Sequence, residues 1–337
     1  MLLSVQDLTV SYRTRGGELR AVEGVSLDVE RGQSLGIVGE SGCGKSTLVR
    51  ALLRVLPPNG RITRGRILFD GLDLAALPSA ALRRVRWRRI ALIPQSAMNA
   101  LNPVMRIGDQ IVETIVAHER TPRAAAHRRA AELLELVGVE PHRLADYPFQ
   151  FSGGMRQRVA IAMAVALRPD LIIADEPTTA LDVLVQDRVL GLLQRLRAEL
   201  GLTLLYITHD VPVVSELCDR IAVMYAGRVV EHGPLRAVFA RPVHPYTMGL
   251  LQASARGTAS GPIVSIPGTP PDLLEPPAGC RFTARCPFAT AMCAAQDPAL
   301  AVVGPARSAA CHYAMDAGRM REEMERHDVW TAGGRVS

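Results

Sequence analysis

The sequence predicts an α/β fold with an antiparallel β start, an inserted helical segment and a small cysteine-containing tail. Three observations carry this. The apolar runs Leu35-Gly36-Ile37-Val38, Leu171-Ile172-Ile173-Ala174 and Thr203-Leu204-Leu205-Tyr206-Ile207-Thr208 read as buried strands. The first leads directly into Gly39-Glu40-Ser41-Gly42-Cys43-Gly44-Lys45-Ser46-Thr47, and a helical pattern, Leu48 to Leu53, follows. From about residue 254 the periodicity gives way to clustered proline and glycine.

At 337 residues the chain accommodates one large domain plus an appendage, or two domains. Its 48% hydrophobic content suits a globular protein with a buried core. No uninterrupted apolar stretch approaches the ~18 residues of a membrane span. The start, Met1-Leu2-Leu3-Ser4-Val5-Gln6-Asp7, lacks a basic region and reads as a strand, not a signal peptide. A cytosolic protein is therefore expected, in which stable disulfides are uncommon. The net charge of +6 permits contact with nucleic acid or an anionic membrane surface and selects neither. The densest basic run, Arg83-Arg84-Val85-Arg86-Trp87-Arg88-Arg89, reads first as a solvated helix face, and second as a surface near lipid headgroups or a partner.

The spacing G-x-x-x-x-G-K-[ST] has a mechanical reason. Glycines let successive backbone N–H groups turn inward around phosphate oxygens, and the helix N-terminus adds partial positive charge. Lys45 would reach the terminal phosphates, and the Ser46 hydroxyl would hold Mg²⁺. Of 39 basic residues Lys45 is the only lysine. A chain that uses arginine everywhere else keeps a compact ammonium where a planar guanidinium would not fit between phosphate oxygens.

Taken in order, residues 2–34 alternate apolar and polar positions around a Gly16-Gly17 turn, an antiparallel start in which Tyr12 could stack on an adenine ring. Gly65 to Gly71 is strand-like, and Ile90-Ala91-Leu92-Ile93-Pro94 is a short buried strand ending at Gln95. Ile107 to Ala117 and Pro122 to Val137 have helical spacing and read as an inserted helical subdomain. Ser152 is a plausible N-cap for a helix opening Gly153-Gly154-Met155, a second helix N-terminus suited to an anion. The strand from Leu171 ends in Asp175-Glu176, and the strand from Thr203 ends at His209. Strand C-termini are where α/β sites lie.

Each of these signals has an ordinary structural explanation alone; in this order they resemble the ATP-binding subunit of an ABC transporter, over roughly residues 1–250. The likeness is strongest to the oligopeptide/dipeptide importer branch, which includes nickel importers. The fold the resemblance implies is an ABC-type P-loop NTPase with an antiparallel β subdomain and a helical subdomain (about 96–160, with the signature helix) in a domain spanning 1–253. A C-terminal extension, 254–337, follows. The resemblance implies Tyr12 as the adenine-stacking aromatic and Gly39 to Thr47 as the Walker A loop. It makes Gln95 the glutamine touching Mg²⁺ and the attacking water, and Asp175 the Walker B aspartate. Glu176 becomes the general base and His209 the switch histidine. Phe151-Ser152-Gly153-Gly154-Met155 is similar to the signature sequence, and Thr179-Ala180-Leu181-Asp182 to the D-loop. Phe151 and Met155 stand where the broader family commonly has Leu and Gln, which reads as a mark of the branch. The chemistry agrees: phosphoryl transfer to water needs a cation clamp, a metal and one base, and Glu176 is the carboxylate the pattern offers as base.

Cys280, Cys286, Cys293 and Cys311 are separated by five, six and seventeen residues. Four thiols in a loop-rich segment suggest a metal or cluster site, and the spacing leaves zinc, an iron–sulfur cluster and free thiols open. Ile266-Pro267-Gly268-Thr269-Pro270-Pro271, Gly279-Cys280-Arg281-Phe282 and Arg285-Cys286-Pro287 look like the extension of peptide-importer ATPases. That resemblance implies a [4Fe–4S] cluster, with zinc as the alternative.

The expected function is an ATPase subunit that energises import of oligopeptides or dipeptides, at the cytoplasmic face of the membrane. With one copy of each motif, it needs a second cassette, identical or related, whose signature meets its ATP. Two transmembrane permease subunits and an extracytoplasmic substrate-binding protein are the other implied partners. The same role in a nickel or other small-solute importer is the alternative. A non-transport ABC ATPase acting on nucleic acid is disfavoured, since the insertion between Gln95 and Ser152 is short and has no heptad run; no nucleic-acid partner is expected.

Overall fold

The alternating apolar positions near the start close into an antiparallel hairpin, Leu3–Thr14 with Gly17–Val29. The computed structural model describes residues 1–95, 100–179, 181–255, 265–324 and 329–332. Val25, Leu27 and Val29 of the second strand are buried at a period of two, whereas in the first Leu3 and Val5 are followed, after a bulge at Asp7 (φ 48°), by the continuously buried run Leu8 to Ser11. Gly60–Phe69 pairs on the other side of Leu3–Thr14, and Leu72–Asp73 completes a four-stranded sheet.

The chain divides into two compact units. The first holds residues 1–29, residues 35–75 and the chain from Thr208 onward. Besides the antiparallel sheet it contains all but the first residue of the buried strand Ser34–Val38, in parallel register with Arg220–Tyr225 from Leu35 opposite Arg220 to Val38 opposite Val223. Arg228–Pro234 returns antiparallel to Arg220–Tyr225. The cysteine-containing tail is not only loops: Arg307–Ala309 pairs with Arg228–Pro234, and Ala301–Gly304 pairs with Arg307–Ala309. Glu231 fastens this arrangement. Its fully buried carboxylate accepts from the backbone N–H groups of Val243 (3.0 and 3.1 Å) and His244 (2.9 Å) and from Arg307 Nη2 (2.6 Å). A buried charge is tolerated when it is paired and hydrogen-bonded in this way.

The second unit holds residues 30–34 and 76–207. Its strands Ile90–Ile93, Leu171–Asp175 and Thr203–Thr208 run parallel, with Ile93 opposite Ala174 and Asp175 opposite Ile207. The two helices of the expected insertion appear as Ile107–His118 and Arg123–Leu136, within a residue or two of their sequence-based limits. The start of that subdomain, residues 96–99, lies outside the described residues. The basic run departs from expectation. Its helix, Ser79–Val85, stops half-way, because Arg86 is extended and Trp87 takes a left-handed conformation (φ 66°). Arg86 to Arg89 is therefore a turn and not a helix face, and the Arg89 guanidinium pairs with Asp170 at 2.7 Å. No helix among the described residues is long and apolar enough to cross a membrane.

Candidate active site

In the first unit, the buried strand Ser34–Val38 delivers the glycine loop to the helix Lys45–Leu52. Two glycines there are required by crowding: a Cβ on Gly39 would collide with the Met224 carbonyl, and one on Gly44, already at φ 103°, with the Ala21 carbonyl. Gly44 is the N-cap of this helix and offers no side chain to cap it, so the loop backbone and the helix N-terminus shape this end. Lys45 is 5% exposed. Its ammonium donates to the carbonyls of Gly39 (2.7 Å) and Glu40 (3.0 Å) and lies 3.7 Å from Cys43 Sγ. Burial pushes the Cys43 thiol up, against the partial relief of that ammonium. Ser46 and Thr47 sit half-buried in the first helical turn, and Ser41 and Gly42 are exposed. Tyr12 reaches this turn: its hydroxyl is 3.2 Å from Thr47 Oγ1, and its ring covers Gly60. His209 follows the strand Thr203–Thr208 and is exposed.

In the second unit, Leu171–Asp175 is buried up to Ala174, and the chain then turns sharply at Glu176 (φ 47°). A non-glycine residue held left-handed costs about 1–3 kcal/mol and persists where the surroundings enforce it. Here they do: Glu176 N–H donates to the Ile207 carbonyl (2.8 Å), while Gln95 Nε2 (3.0 Å) and Thr179 Oγ1 (3.1 Å) both donate to Oε2. Gln95 and Glu176, 81 residues apart, are thus brought into direct contact. Asp175 is half-buried at the strand end.

Ser152 caps the helix Gly153–Val165, its hydroxyl accepting from Met155 N–H at 3.3 Å. The exposed Ser152 and half-buried Gly153 leave this N-terminus accessible. Gly154 has a packing reason besides: a Cβ would collide with Val185 on the helix Val183–Leu200. Asp182 caps that helix through Val185 N–H (2.9 Å), while Ala180 of the same loop lies outside the described residues. Arg143, which sequence reasoning missed, braces the turn before Ser152. Its guanidinium sits 4.4 Å from the Phe151 ring centroid, donates to the Gln150 carbonyl (3.0 Å) and lies 3.5 Å from Met155 Sδ. No local pattern marks it, since the contact is made only once the intervening turn has folded.

Residues 22–179 match the family described as "ABC transporter", and residues 230–293 the family described as "Oligopeptide/dipeptide transporter, C-terminal region". The chain is 47% identical over 302 residues to the oligopeptide transport ATP-binding protein OppD of Bacillus subtilis, covering 88% of this chain and 84% of that protein. The Escherichia coli protein of the same name is 45% identical over 313 residues, covering 92% of each. The chain belongs to the ABC transporter ATP-binding proteins. Its fold agrees with theirs: a dimeric ATP-binding cassette solved in a post-hydrolysis state with ADP and Pi superposes with a TM-score of 0.63 at 29% identity, covering 70% of this chain and 99% of that one. As a member of this family the chain is an ATPase of the transport-coupled type, and its C-terminal match places it in the oligopeptide/dipeptide branch.

The branch-specific extension gathers its cysteines. Cys280, Cys286, Cys293 and Cys311 line one cavity of about 20 Å³, walled by Phe282 and Phe288. That is room for about one water molecule. Burial pushes the Cys286 thiol far up, Cys311 to about 11 and Cys280 up, and neighbouring thiols of the pocket push each further. Thiolates that raise one another's cost of ionisation are stabilised together by a soft cation, so the donor chemistry fits a thiophilic metal or cluster. The spacing does not close into a ligand set: among the described residues, no group of three or more His, Cys, Asp or Glu side chains is arranged to hold a metal ion.

Proposed function

We propose that this chain is the ATP-hydrolysing subunit of an importer for oligopeptides or dipeptides. It would act at the cytoplasmic face of the membrane on two permease subunits served by an extracytoplasmic substrate-binding protein. The observation that carries the ATPase assignment to particular residues is the Glu176 carboxylate, held by Gln95 and Thr179 at a strained turn after a buried strand. In this reading Tyr12 stacks on adenine, and the backbone of Gly39 to Thr47 with the Lys45 ammonium holds the phosphates. Glu176 takes a proton from water as the water oxygen bonds to the γ-phosphorus and the bridging oxygen leaves with ADP. Gln95 and His209 orient the water and the γ-phosphate. Mg²⁺, held by Ser46, Gln95 and Asp175, would neutralise phosphate charge.

The domain spanning 1–253 carries this chemistry, and 254–337 is the branch-specific extension. A second cassette supplies its own Ser152-Gly153-Gly154-Met155 helix to the ATP, as this chain does in return. Exposed Val183 and Leu184, next to Asp182, offer an apolar contact for it. A pull-down of the chain from solubilised membranes, read by mass spectrometry, tests the transport assignment. Two multi-span permeases and a peptide-binding protein are expected; a nickel-binding protein would replace the peptide cargo, and nucleic-acid enzymes in place of permeases would contradict the assignment.

The thiol pocket is proposed to take a [4Fe–4S] cluster, with zinc as the alternative; four soft donors on one apolar cavity support it. Protein purified without oxygen is expected to contain iron and acid-labile sulfide in equal amounts, bleached by an iron chelator. Stoichiometric zinc without iron would point to the alternative, and neither would leave a packed thiol core.

A further inference from the structure

Glu40 sets an electrostatic problem. It lies inside the loop that is read above as a cradle for ATP, and an uncompensated carboxylate there repels the triphosphate. The structure meets this with a residue from the far end of the chain. Arg285 forms a two-pronged pair with Glu40, Nη1 to Oε2 at 2.8 Å and Nη2 to Oε1 at 2.9 Å. Its remaining donors are used to hold the guanidinium in place: Nε to the Pro267 carbonyl (2.8 Å), Nη2 to the Ile266 carbonyl (3.3 Å) and Nη1 to the Tyr225 hydroxyl (3.2 Å). The Arg285 side chain is 5% exposed, and it lies 5.6 Å from the Tyr225 ring centroid. Burial would lower its affinity for a proton, but the bonds to Glu40 and Tyr225 outweigh that and raise it.

The rest of Glu40 is held by the loop and by one more distant residue. Its N–H donates to the Tyr246 hydroxyl at 2.9 Å, and its carbonyl accepts from Lys45 Nζ at 3.0 Å. Tyr246 is fully buried and packs on Tyr225 and Phe282, with ring centroids 4.6 and 5.5 Å apart. Thus the carboxylate is turned to Arg285, while the carbonyl and amide keep the loop's shape.

We infer that Arg285 is a positioning residue for nucleotide binding, supplied by the C-terminal extension to neutralise Glu40 and hold it back from the phosphates. The inference rests on the reading of Gly39 to Thr47 as the ATP phosphate loop. In consequence the extension is part of the nucleotide site's electrostatics. Arg285 directly precedes Cys286, so a change in the thiol pocket has a covalently adjacent route to the loop.

The test is calorimetric titration of the full chain with the magnesium complex of a non-hydrolysable ATP analogue, as a double-mutant cycle. Arg285→Gln, which keeps most of the side-chain length, is expected to weaken binding about tenfold or more at low salt. Arg285→Lys, which keeps the charge, is expected to lose less. In the presence of Glu40→Gln the loss on changing Arg285 to Gln is expected to shrink below about threefold, because no charge remains to neutralise. Raising the salt from about 0.05 to about 1 M should also shrink the Arg285→Gln defect relative to the unmodified chain. A purely structural role would give the same loss with and without Glu40→Gln, the same loss for Arg285→Lys and Arg285→Gln, and no salt dependence; any of these overturns the inference. Unmodified protein that fails to bind the analogue would overturn the ATP-site reading and this inference with it, whereas normal binding by the Arg285→Gln chain overturns this inference alone.

Discussion

Replacing Glu176 by glutamine is expected to reduce ATP turnover roughly a hundredfold to ten-thousandfold, the range typical for loss of a general base, while ATP still binds. The geometry makes the substitution clean. Gln95 Nε2 and Thr179 Oγ1 both donate to one oxygen, Oε2. An amide keeps a carbonyl oxygen to accept them, so the side chain stays in place and only the proton-accepting capacity is lost. Water then remains without a base, and the ATP-bound form accumulates. Steady-state hydrolysis together with nucleotide retention on a rapid desalting column checks this; near-normal turnover would mean that another group takes the proton.

Lys45→Ala is expected to weaken ATP binding by about tenfold to a hundredfold, from the loss of charge-assisted hydrogen bonds worth about 1.5–3 kcal/mol. Lys45→Arg is expected to be defective as well. The ammonium is 5% exposed and lies between two loop carbonyls at 2.7 and 3.0 Å, where a planar guanidinium has no matching arrangement of acceptors. In a chain that otherwise uses only arginine as its long cation, wild-type affinity in the Lys45→Arg variant would show that the single lysine is incidental. Titration of both variants with an ATP analogue reads the effect directly.

The features legible in the sequence are those whose cause is local. The glycine loop and its lysine sit in one stretch, and the strand before it is a continuous apolar run that stays buried from Ser34 to Val38. The same holds for Asp175-Glu176 at the end of Leu171–Asp175 and for the Ser152 cap. The features that are not legible depend on residues that meet only after folding. Arg285 and Glu40 are 245 positions apart, and nothing near either one announces the pair. Gly154 reads as access for phosphate, yet it also lies flush against Val185. The basic run reads as one helix face because arginine favours helix, but Trp87 adopts φ 66° and ends it early. The tail reads as loop because its prolines and glycines mask the period, while two short strands pair with the sheet through backbone bonds that need no pattern.

On this reading one chain holds half of an ATP hydrolysis site and needs a second cassette to complete it. The specific ATPase activity of the purified full chain across a dilution series, with its mass measured by light scattering at each concentration, tests this most directly. Activity per chain is expected to fall toward zero as any dimer dissociates, and Glu176→Gln protein to form a stable dimer or mixed pair only with ATP. A monomer that hydrolyses ATP at an undiminished rate per chain would contradict the half-site.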